Sequence, residues 1–363
     1  MNRRKPVNAD SRRYKRASIL IIALWSVCLL TSLAVILGYQ VRQKIILVKR
    51  LDERDKTRLI AEAAIKKAIA ELKKEPEKDY DALNDNWSNN ISAFKEIKVG
   101  DGEFSISYDF NPGAESNSPE TRYGMVDEES KININKSDFK TLERFFRLFG
   151  LEDSEAQDLA YSIIDWRDED SQLSLSIGSA EDSYYRNLSP PYEAKDGPFE
   201  VLEEILLVKG MTPDFFQRIK NYITIYGKGK VNINTASNGV ILALGVSQDL
   251  ADKIVSFRNA KDALAGTSDD NIFQTPADVI TELSGFYRLS DPELSELSVL
   301  SEKITTKSEN FMIRCTAGLN KGKFTPLETI GQQRRREVSL TGFRVNVYCV
   351  VSREGKILYW NES

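Results

Sequence analysis

One uncharged apolar run near the start of the chain constrains its fold more than any other feature. The run, Ser18–Gly38, is 21 residues long. A helix that rises about 1.5 Å per residue would therefore cover about 30 Å, the thickness of the hydrocarbon core of a bilayer. The remaining sequence has no second run of this kind. We predict that residues 18–38 cross a membrane once and that the rest of the chain lies on one side of it.

Charged residues flank this run and indicate its orientation. Residues 1–17 carry seven Lys and Arg against one Asp, a bias that keeps the N-terminus in the cytoplasm and places the larger part across the membrane. Residues 39–75 contain no Pro or Gly, and their apolar positions recur at helical spacing. We predict one helix over residues 18–75, ended by Pro76. Its apolar face would hold Ile60, Ala61, Ala64, Ile65, Ala68 and Leu72.

The composition excludes several kinds of site. The chain has no histidine, which removes histidine-based triads, histidine metal sites and imidazole acid–base chemistry. Its three cysteines are scattered, so no Cys-x-x-Cys motif exists. Cys315 and Cys349 lie in strand-like segments, and either a disulfide between them or two buried free thiols fits the sequence. No catalytic constellation stands out, and we predict that the protein is not an enzyme.

Alternating apolar residues predict strands in two separate parts of the chain. The segments SAFKEIKV, GEFSISYDF and TRYGMVDEE come before Lys131, whereas FMIRCTAGL, FRVNVYCVV and ILYW come after residue 309. In the later part Val345, Val347 and Cys349 share one face. We predict an α+β fold in which both parts build one antiparallel sheet. The predicted bounds are residues 76–130 and 309–363 for the sheet domain and residues 131–308 for an all-α insertion.

The insertion contains an internal repeat. The sequence KININ at residues 131–135 recurs as KVNIN at residues 230–234, and each copy continues with a helix pattern, a glycine turn and a second helix pattern. Each copy is too small to bury a full core alone, so we predict two modules, over residues 131–225 and 226–308. For the first helix of each copy we predict an N-cap at Asn135 or Ser137 and at Asn234 or Thr235.

The second copy, VNINTASNGVILALGVSQDLADKIVSFR, is similar to a helix-hairpin-helix, a motif that often binds nucleic-acid backbones. Its hairpin reads Gly245-Val246-Ser247 and lacks the second glycine that lets backbone amides approach a phosphate. Residues 231–300 also hold 4 Lys and Arg against 10 Asp and Glu, whereas phosphate binding needs cations. We predict a structural module without a nucleic-acid partner. The alternative is a membrane-anchored DNA receptor of a competence-type system.

The densest acidic segment lies between the two copies. Residues 152–182 contain ten carboxylates and one base, Arg167. Asp168 and Asp170 at one end of a loop, and Glu181 and Asp182 at the other, are hard oxygen ligands suited to Ca²⁺. The glycine that an EF-hand loop requires is missing. From spacing alone, a solvated acidic loop without an ion remains the alternative.

A basic leader, an apolar helix start and an amphipathic continuation together resemble a type IV pilin-like protein. In that family a prepilin peptidase cuts between a small residue, normally Gly, and the apolar run. The resemblance places this cut between Ala17 and Ser18, with residues 1–17 as the leader. Most members carry Glu at the fifth mature position, which is Ile22 here. An apolar residue at that position is similar to the K pseudopilin of type II secretion systems.

Four landmarks that follow in order resemble the same family: DWRDED, GSAEDSYY, the segment from PPYEAKDGPFE to NYIT, and GKVNINTAS. With the N-terminal helix and the C-terminal strands, the resemblance covers nearly the whole chain after Tyr14. It implies a pilin-like α/β domain with an inserted all-helical domain that binds calcium. Carried over to this sequence, the implied calcium ligands are Asp168, Asp170, Glu181 and Asp182.

The resemblance also implies a function in assembly. We expect a minor pseudopilin at the tip of a periplasmic pseudopilus, which starts pseudopilus assembly for protein export across the outer membrane. The expected partners are minor pseudopilins of the I and J types, the major pseudopilin, the prepilin peptidase and the membrane. The expected location is the bacterial inner membrane, with one span, a cytoplasmic N-terminus and a periplasmic C-terminal domain.

Overall fold

The structure is a computed structural model, and it describes residues 11–74, 78–111, 120–175, 178–319 and 343–363. The chain divides into two compact units, Met1–Thr57 and Arg58–Ser363. The α-helices in the described ranges are α1 Ser11–Lys74, α2 Ile91–Phe94, α3 Phe139–Leu148, α4 Asp153–Arg167, α5 Asp182–Tyr185, α6 Pro213–Ile219, α7 Asn238–Ala243, α8 Gln248–Arg258, α9 Asp278–Phe286 and α10 Asp291–Lys303. The strands are β1 Ile97–Val99, β2 Gly102–Ile106, β3 Tyr108–Phe110, β4 Glu120–Arg122, β5 Val126–Asp127, β6 Ile132–Asn133, β7 Ile223–Thr224, β8 Val231–Asn232, β9 Ile304–Thr305, β10 Asn310–Leu319, β11 Arg344–Ser352 and β12 Ile357–Glu362.

The first unit contains the N-terminal part of α1. The large apolar side chains from Ile19 to Leu51 are exposed to solvent. Within the described residues, α1 is the helix whose length and apolar composition suffice to cross a membrane. The predicted N-terminal apolar helix is therefore present, although it begins earlier than expected, at Ser11. Pro76, where we predicted its end, lies outside the described residues.

The second unit contains, within the described ranges, a six-stranded antiparallel sheet. Its strand order is β1-β2-β10-β11-β12, and β5 also pairs with β10. Apolar residues alternate along the strands, so one sheet face is apolar and packs against the last turns of α1, where Ile60, Ala64 and Ala68 are buried. Val345 is buried on this face, while Arg344 is exposed on the other. The predicted mixture of helices and antiparallel sheet is confirmed.

Two predicted strands differ from the structure. Residues 91–94 form the short helix α2 because the Asn90 side chain accepts a hydrogen bond from the Ala93 backbone N–H at 3.1 Å and so caps it. In GEFSISYDF only β2 joins the main sheet, whereas β3 pairs with β4 in a separate two-stranded ladder. The strand that this segment contributes to the main sheet is therefore shorter than the sequence pattern indicates.

Cys315 and Cys349 are buried free thiols. Cys315 pairs with Val347 across the ladder, and Cys349 pairs with Ile313. The two cysteines are therefore diagonal neighbours, an arrangement with a typical separation of about 7–8 Å, whereas a disulfide requires Cα atoms within about 7 Å. Burial raises the pKa of each thiol to about 12. The disulfide that the sequence allowed is not formed, and the alternative of two buried free thiols is what the structure shows.

The residues between β5 and β10, here named the helical insertion, have a hydrophobic core of their own. Two copies of the same connections build it. In the first copy β6 pairs in parallel with β7, and in the second β8 pairs in parallel with β9. Each copy holds a pair of consecutive helices, α3–α4 and α7–α8. The sequence repeat therefore corresponds to a repeat of structure.

The N-caps of the first helices are not at the predicted residues. The Asp138 side chain caps α3 and accepts a hydrogen bond from the Thr141 backbone N–H at 2.7 Å. The Ser237 side chain caps α7 and accepts one from the Val240 N–H at 3.4 Å. Both helices begin a few residues later than we predicted, which leaves the repeated asparagines free for other contacts.

Those asparagines connect distant parts of each copy. The Asn135 amide group donates to the Phe199 carbonyl at 3.0 Å and accepts from the Phe199 N–H at 2.8 Å. The Asn234 amide makes the same pair of bonds with Phe273, at 2.9 and 3.0 Å. Each asparagine side chain thus makes the donor and acceptor bonds that a neighbouring strand would make with a backbone. In this way it fixes a remote loop to the start of its copy.

Candidate metal centre

The acidic segment begins at the end of α4. The Arg167 guanidinium, in the last turn, donates hydrogen bonds to the backbone carbonyls of Ile134 and Ser137, which fixes this helix end against the first copy. Asp165 lies in the same turn, and Asp168 follows the helix directly. Carboxylates are unfavourable at a helix C-terminus, where the macrodipole is negative. These two acids therefore do not serve the stability of the helix.

Three carboxylates in this region have buried oxygen atoms without a hydrogen-bond donor. Asp165 is fully buried; its Oδ1 accepts a bond from the Ser174 N–H at 3.0 Å, but its Oδ2 has no partner. Oδ1 of Asp168 also has no partner, and neither oxygen of Glu181 has one, although Glu181 is only 2% exposed. Such oxygens cost free energy unless a cation or a proton compensates for the lost water.

The pKa values reflect the same crowding of negative charge. Burial, followed by the charges of Asp165, Asp168 and Asp196, raises the pKa of Glu181 to about 7. Burial, followed by the charges of Asp165, Asp170 and Asp196, raises the pKa of Asp168 to about 6. The structure therefore brings together acids from the end of α4, from the start of α5 and from a later loop.

Two of the four predicted ligands, Asp168 and Glu181, lie in this cluster with unpaired oxygens. Asp170 lies at its edge. The Asp170 side chain is exposed and accepts a hydrogen bond from the Gln172 N–H at 2.8 Å, but its charge still raises the pKa of Asp168. Asp170 thus contributes negative charge to the cluster from an exposed position.

The fourth predicted ligand, Asp182, is held by other groups. Its Oδ2 accepts a hydrogen bond from the Arg186 guanidinium at 2.7 Å, one helical turn later. Its Oδ1 accepts one from the Ala194 N–H at 2.9 Å. Both oxygens of Asp182 therefore stabilise α5 and the loop behind it, unlike the oxygens of its neighbour Glu181.

Sequence reasoning missed Asp165 and Asp196. Asp165 lies in the last turn of α4, three residues before Asp168, and the DWRDED landmark contains them both. Asp196 belongs to the loop that leads to Phe199, which the Asn135 amide fixes in place. The first signal was available in the sequence, whereas the second depends on a contact across the fold.

Another group of acids lies in the second copy. Oxygen atoms of Asp262, Asp269 and Asp270 lie within 4.8 Å of one another. The Thr267 hydroxyl donates to Asp269 at 2.7 Å and to Asp270 at 3.0 Å, and the Gly266 N–H donates to Asp270 at 2.7 Å. These carboxylates are more exposed and are served by hydrogen-bond donors, so they lack the unpaired buried oxygens that mark the cluster around Glu181.

The chemistry of the cluster suits a hard divalent cation. Asp165, Asp168 and Glu181 offer carboxylate oxygens, the ligand type that Ca²⁺ prefers, and four of these oxygens are buried without a donor. Arg167, the base within the acidic segment, is already bonded to backbone carbonyls. These residues therefore suit a calcium ion in burial, charge and unpaired oxygens, whereas the acids whose oxygens lie within 4.8 Å of one another in the described residues are Asp262, Asp269 and Asp270.

The part of the chain that holds the acidic cluster is similar to a known protein family. Residues 123–228, which include the acidic cluster, match the family model described as type II secretion system (T2SS), protein K. Protein K of Aeromonas hydrophila is 35% identical over 98 residues, which are 26% of this chain and 29% of that protein. The chain resembles protein K of the type II secretion system. Protein K of Pseudomonas aeruginosa is 24% identical over 200 residues, which are 55% of this chain and 57% of that protein.

Both protein K matches are partial, because the aligned part spans 29% and 57% of the two relatives. The fold is similar over a larger part. A chain from the crystal structure of the GspK–GspI–GspJ complex of enterotoxigenic Escherichia coli superposes with a TM-score of 0.61 and 15% identity, over 87% of this chain and 99% of that one. This likeness shows that the two chains share a fold.

Proposed function

We propose that this protein is a minor pseudopilin of a type II secretion system. The observation that carries the proposal is the family match over residues 123–228, which starts next to the sheet and continues through the acidic cluster of the helical insertion. The apolar N-terminal helix and the antiparallel sheet of the second unit support it. No constellation in the described residues suggests catalysis, and we keep the prediction that the protein is not an enzyme.

The tip of the pseudopilus is the position that these features favour. A subunit inside a filament must accept another subunit above it, and the helical insertion adds bulk that a stacked neighbour would have to accommodate. Ile22 replaces the Glu that most pilin-like proteins use to meet the N-terminus of a neighbour. The similar E. coli chain comes from a complex with GspI and GspJ. We therefore propose I-type and J-type minor pseudopilins as partners, with a role in starting assembly.

Co-purification tests this function. The full chain, extracted in detergent, should bring down the I-type and J-type minor pseudopilins encoded with it, and deletion of its gene should stop secretion through the system. The Asp269→Asn variant, which changes an exposed loop, is the matched control. It should bring down the same partners and support secretion as the native chain does. Tight, salt-sensitive binding to duplex DNA without any pseudopilin partner would instead support the alternative function. That alternative is a membrane-anchored DNA receptor of a competence-type system, which would use the segment similar to a helix-hairpin-helix.

We also propose calcium as a structural ion of the helical insertion, with Asp165, Asp168 and Glu181 as ligands and Asp170 and Asp196 beside them. When bound, the ion would neutralise the repulsion among these acids. The unpaired buried oxygens and the raised pKa values of Asp168 and Glu181 support this proposal. The sequence prediction of Asp182 as a ligand has weaker support, because Arg186 and Ala194 occupy its oxygens.

A further inference from the structure

The first asparagine of the repeated motif has different partners in the two copies. In both copies its Oδ1 accepts a hydrogen bond from the N–H two residues on, at 2.9 Å from Asn135 to Asn133 and at 3.0 Å from Asn234 to Asn232. The Asn133 Nδ2 donates to the Tyr226 carbonyl at 2.6 Å, two residues after β7 and one residue beyond the predicted end of its own copy. The local turn is therefore the same, and the difference lies in the Nδ2 group.

The Nδ2 group of Asn232 reaches outside the helical insertion. It lies 3.0 Å from Oδ2 of Asp127, 2.8 Å from Oγ of Ser308 and 3.2 Å from the carbonyl oxygen of Asp81. Asp127 belongs to β5, Asp81 precedes the sheet, and Ser308 lies in the segment that returns to β10. Asn133 thus bonds to the segment that follows β7, whereas the equivalent residue of the second copy, Asn232, connects that copy to the sheet.

Asp127 is the centre of these contacts. It is 2% exposed. Its Oδ2 accepts hydrogen bonds from the Thr235 hydroxyl at 2.5 Å and the Ser308 hydroxyl at 2.7 Å, in addition to the Asn232 amide, and its Oδ1 accepts one from the Glu129 N–H at 2.8 Å. A single carboxylate therefore ties together the second copy, the sheet and the returning segment.

Asp81 and Arg353 extend the contacts to the far end of the sheet. Asp81 is also 2% exposed and forms an ion pair with Arg353, which lies between β11 and β12. The Ser308 N–H donates to Asp81 at 2.7 Å, and Arg353 Nε donates to the Ser308 carbonyl at 2.9 Å. Ser308 is thus bonded through its N–H, its carbonyl and its hydroxyl.

We propose that six residues form a rigid joint that holds the helical insertion in one orientation on the sheet: Asp81, Asp127, Asn232, Thr235, Ser308 and Arg353. Apolar contacts tolerate sliding, whereas buried polar groups are satisfied in few arrangements, and any rotation would leave a carboxylate without donors. In the joint, the Asn232 Nδ2 group and the Arg353 guanidinium each have acceptors in more than one part of the chain. The second copy differs from the first because its asparagine serves this joint.

Spin-label distance measurements test the joint. The labels are placed at two exposed positions, Lys98→Cys on β1 and Ser295→Cys on α10, in the full chain in detergent with Cys28→Ser. The native joint should give a narrow distance distribution. Asn232→Ala should broaden it by roughly twofold or more, because a central donor of a coupled network is lost. Asn133→Ala removes the equivalent residue of the first copy and should leave the width unchanged.

The outcomes separate the joint from a general loss of stability. A distribution in Asn232→Ala as narrow as in the native joint, or equal broadening in Asn133→Ala, overturns the proposal. If circular dichroism shows that Asn232→Ala does not fold, Ser308→Ala decides, because it removes one hydroxyl donor to Asp127 and leaves the backbone bonds of Ser308 in place. Broadening in Ser308→Ala then supports the joint, and native width overturns it.

Discussion

Glu181 and Asp127 are equally buried, at 2% exposure each, but their surroundings differ. Asp127 accepts hydrogen bonds from three side chains and one backbone N–H. Both oxygens of Glu181 lack a donor and face other acids. Donors favour the charged form of a carboxylate, but burial still raises the pKa of Asp127 to about 6, against about 7 for Glu181, which has no donors. Of the two, only Glu181 has oxygens left over for an ion, so only Glu181 should be sensitive to calcium.

This difference predicts how stability depends on pH and calcium. Folding raises the pKa of Glu181 to about 7 and that of Asp168 to about 6, so without metal the native state binds more protons than the unfolded state between pH of about 4 and 7. In a chelator the melting temperature should fall as the pH rises through this window. With excess Ca²⁺ the melting temperature should instead rise with pH over this window, because deprotonated carboxylates bind the ion.

Two variants make this prediction specific. Glu181→Gln should reduce the slope in the chelator, of which Asp168, Asp127 and Glu129 keep a part because burial raises their pKa values too, and it should reduce the stabilisation by Ca²⁺. Asp269→Asn, in the more exposed acidic group of the second copy, should change neither. Identical melting curves in Ca²⁺ and chelator at pH 7 would refute calcium binding at the cluster, and a calorimetric titration without heat would agree with that outcome.

At the scale of single elements, the sequence predicted which helices exist better than where they begin. The helix pairs α3–α4 and α7–α8 follow from local patterns and are present, whereas the helix-hairpin-helix character of the repeat stays a prediction. The caps were wrong because Asn135 and Asn234 have their partners 64 and 39 residues away, at Phe199 and Phe273. A nearby serine or aspartate then takes over the capping. Local spacing cannot distinguish an asparagine that caps from one that bonds to a remote loop.

The acids of the candidate site were also only partly predictable from the sequence. Asp168 and Glu181 were predicted as ligands from their hard oxygens at the two ends of a loop and from the family resemblance, and the structure places both in the acidic cluster. Asp165 was missed because an acid inside a helix is normally on its solvent side, and Asp196 because its loop approaches only in the folded chain. Asp182 was predicted as a ligand although Arg186, four residues later on the same helix, offers it a partner.

Arg258 gives an element-scale prediction. Its buried guanidinium donates from Nη1 to the Ile233 and Ala236 carbonyls, both at 2.7 Å, which joins the end of α8 to the start of the second copy. Burial lowers the pKa of Arg258 to about 10. Arg258→Lys should lower the free energy of unfolding by about 1–3 kcal/mol, since an ammonium group cannot satisfy both carbonyls in the same place. Urea denaturation measures this change.

Arg147→Lys is the matched control for this variant. The Arg147 side chain is half exposed and pairs with Asp153 at 2.8 Å on the surface. Surface changes of this kind alter stability by less than about 0.5 kcal/mol. Equal losses in the two variants would contradict a special role for Arg258 in closing the second copy.

At the scale of the whole molecule, the sequence predicted the order of parts well. Strands resume after residue 309, and β10 indeed pairs with β2 and β5 from the earlier part. The split of GEFSISYDF between two sheets was not predictable, because its alternation continues unbroken through both β2 and β3. The pairing partners of a strand, rather than its own residues, decide which sheet it joins.

Processing at the N-terminus is a prediction for the full-length molecule. Co-expression with a prepilin peptidase should give a mature chain that begins at Ser18, as read by N-terminal sequencing. Ala17→Gly should raise the cleaved fraction, because Gly is the residue that the peptidase normally meets in this family. Ala23→Gly, inside the apolar run, should leave the cleavage site unchanged. A chain that keeps residues 1–17 in every case would contradict the pilin-like leader.

The helical insertion leaves the sheet and returns to it at one place. Val126 pairs with Met312, and Asp127 pairs with Phe311, so the strands on either side of the insertion are direct neighbours. Neighbouring strands lie only about 4.8 Å apart, a gap that a short turn can bridge. The strand order of the sheet therefore does not depend on the helical insertion, since a chain that turned directly from β5 into β10 would keep it.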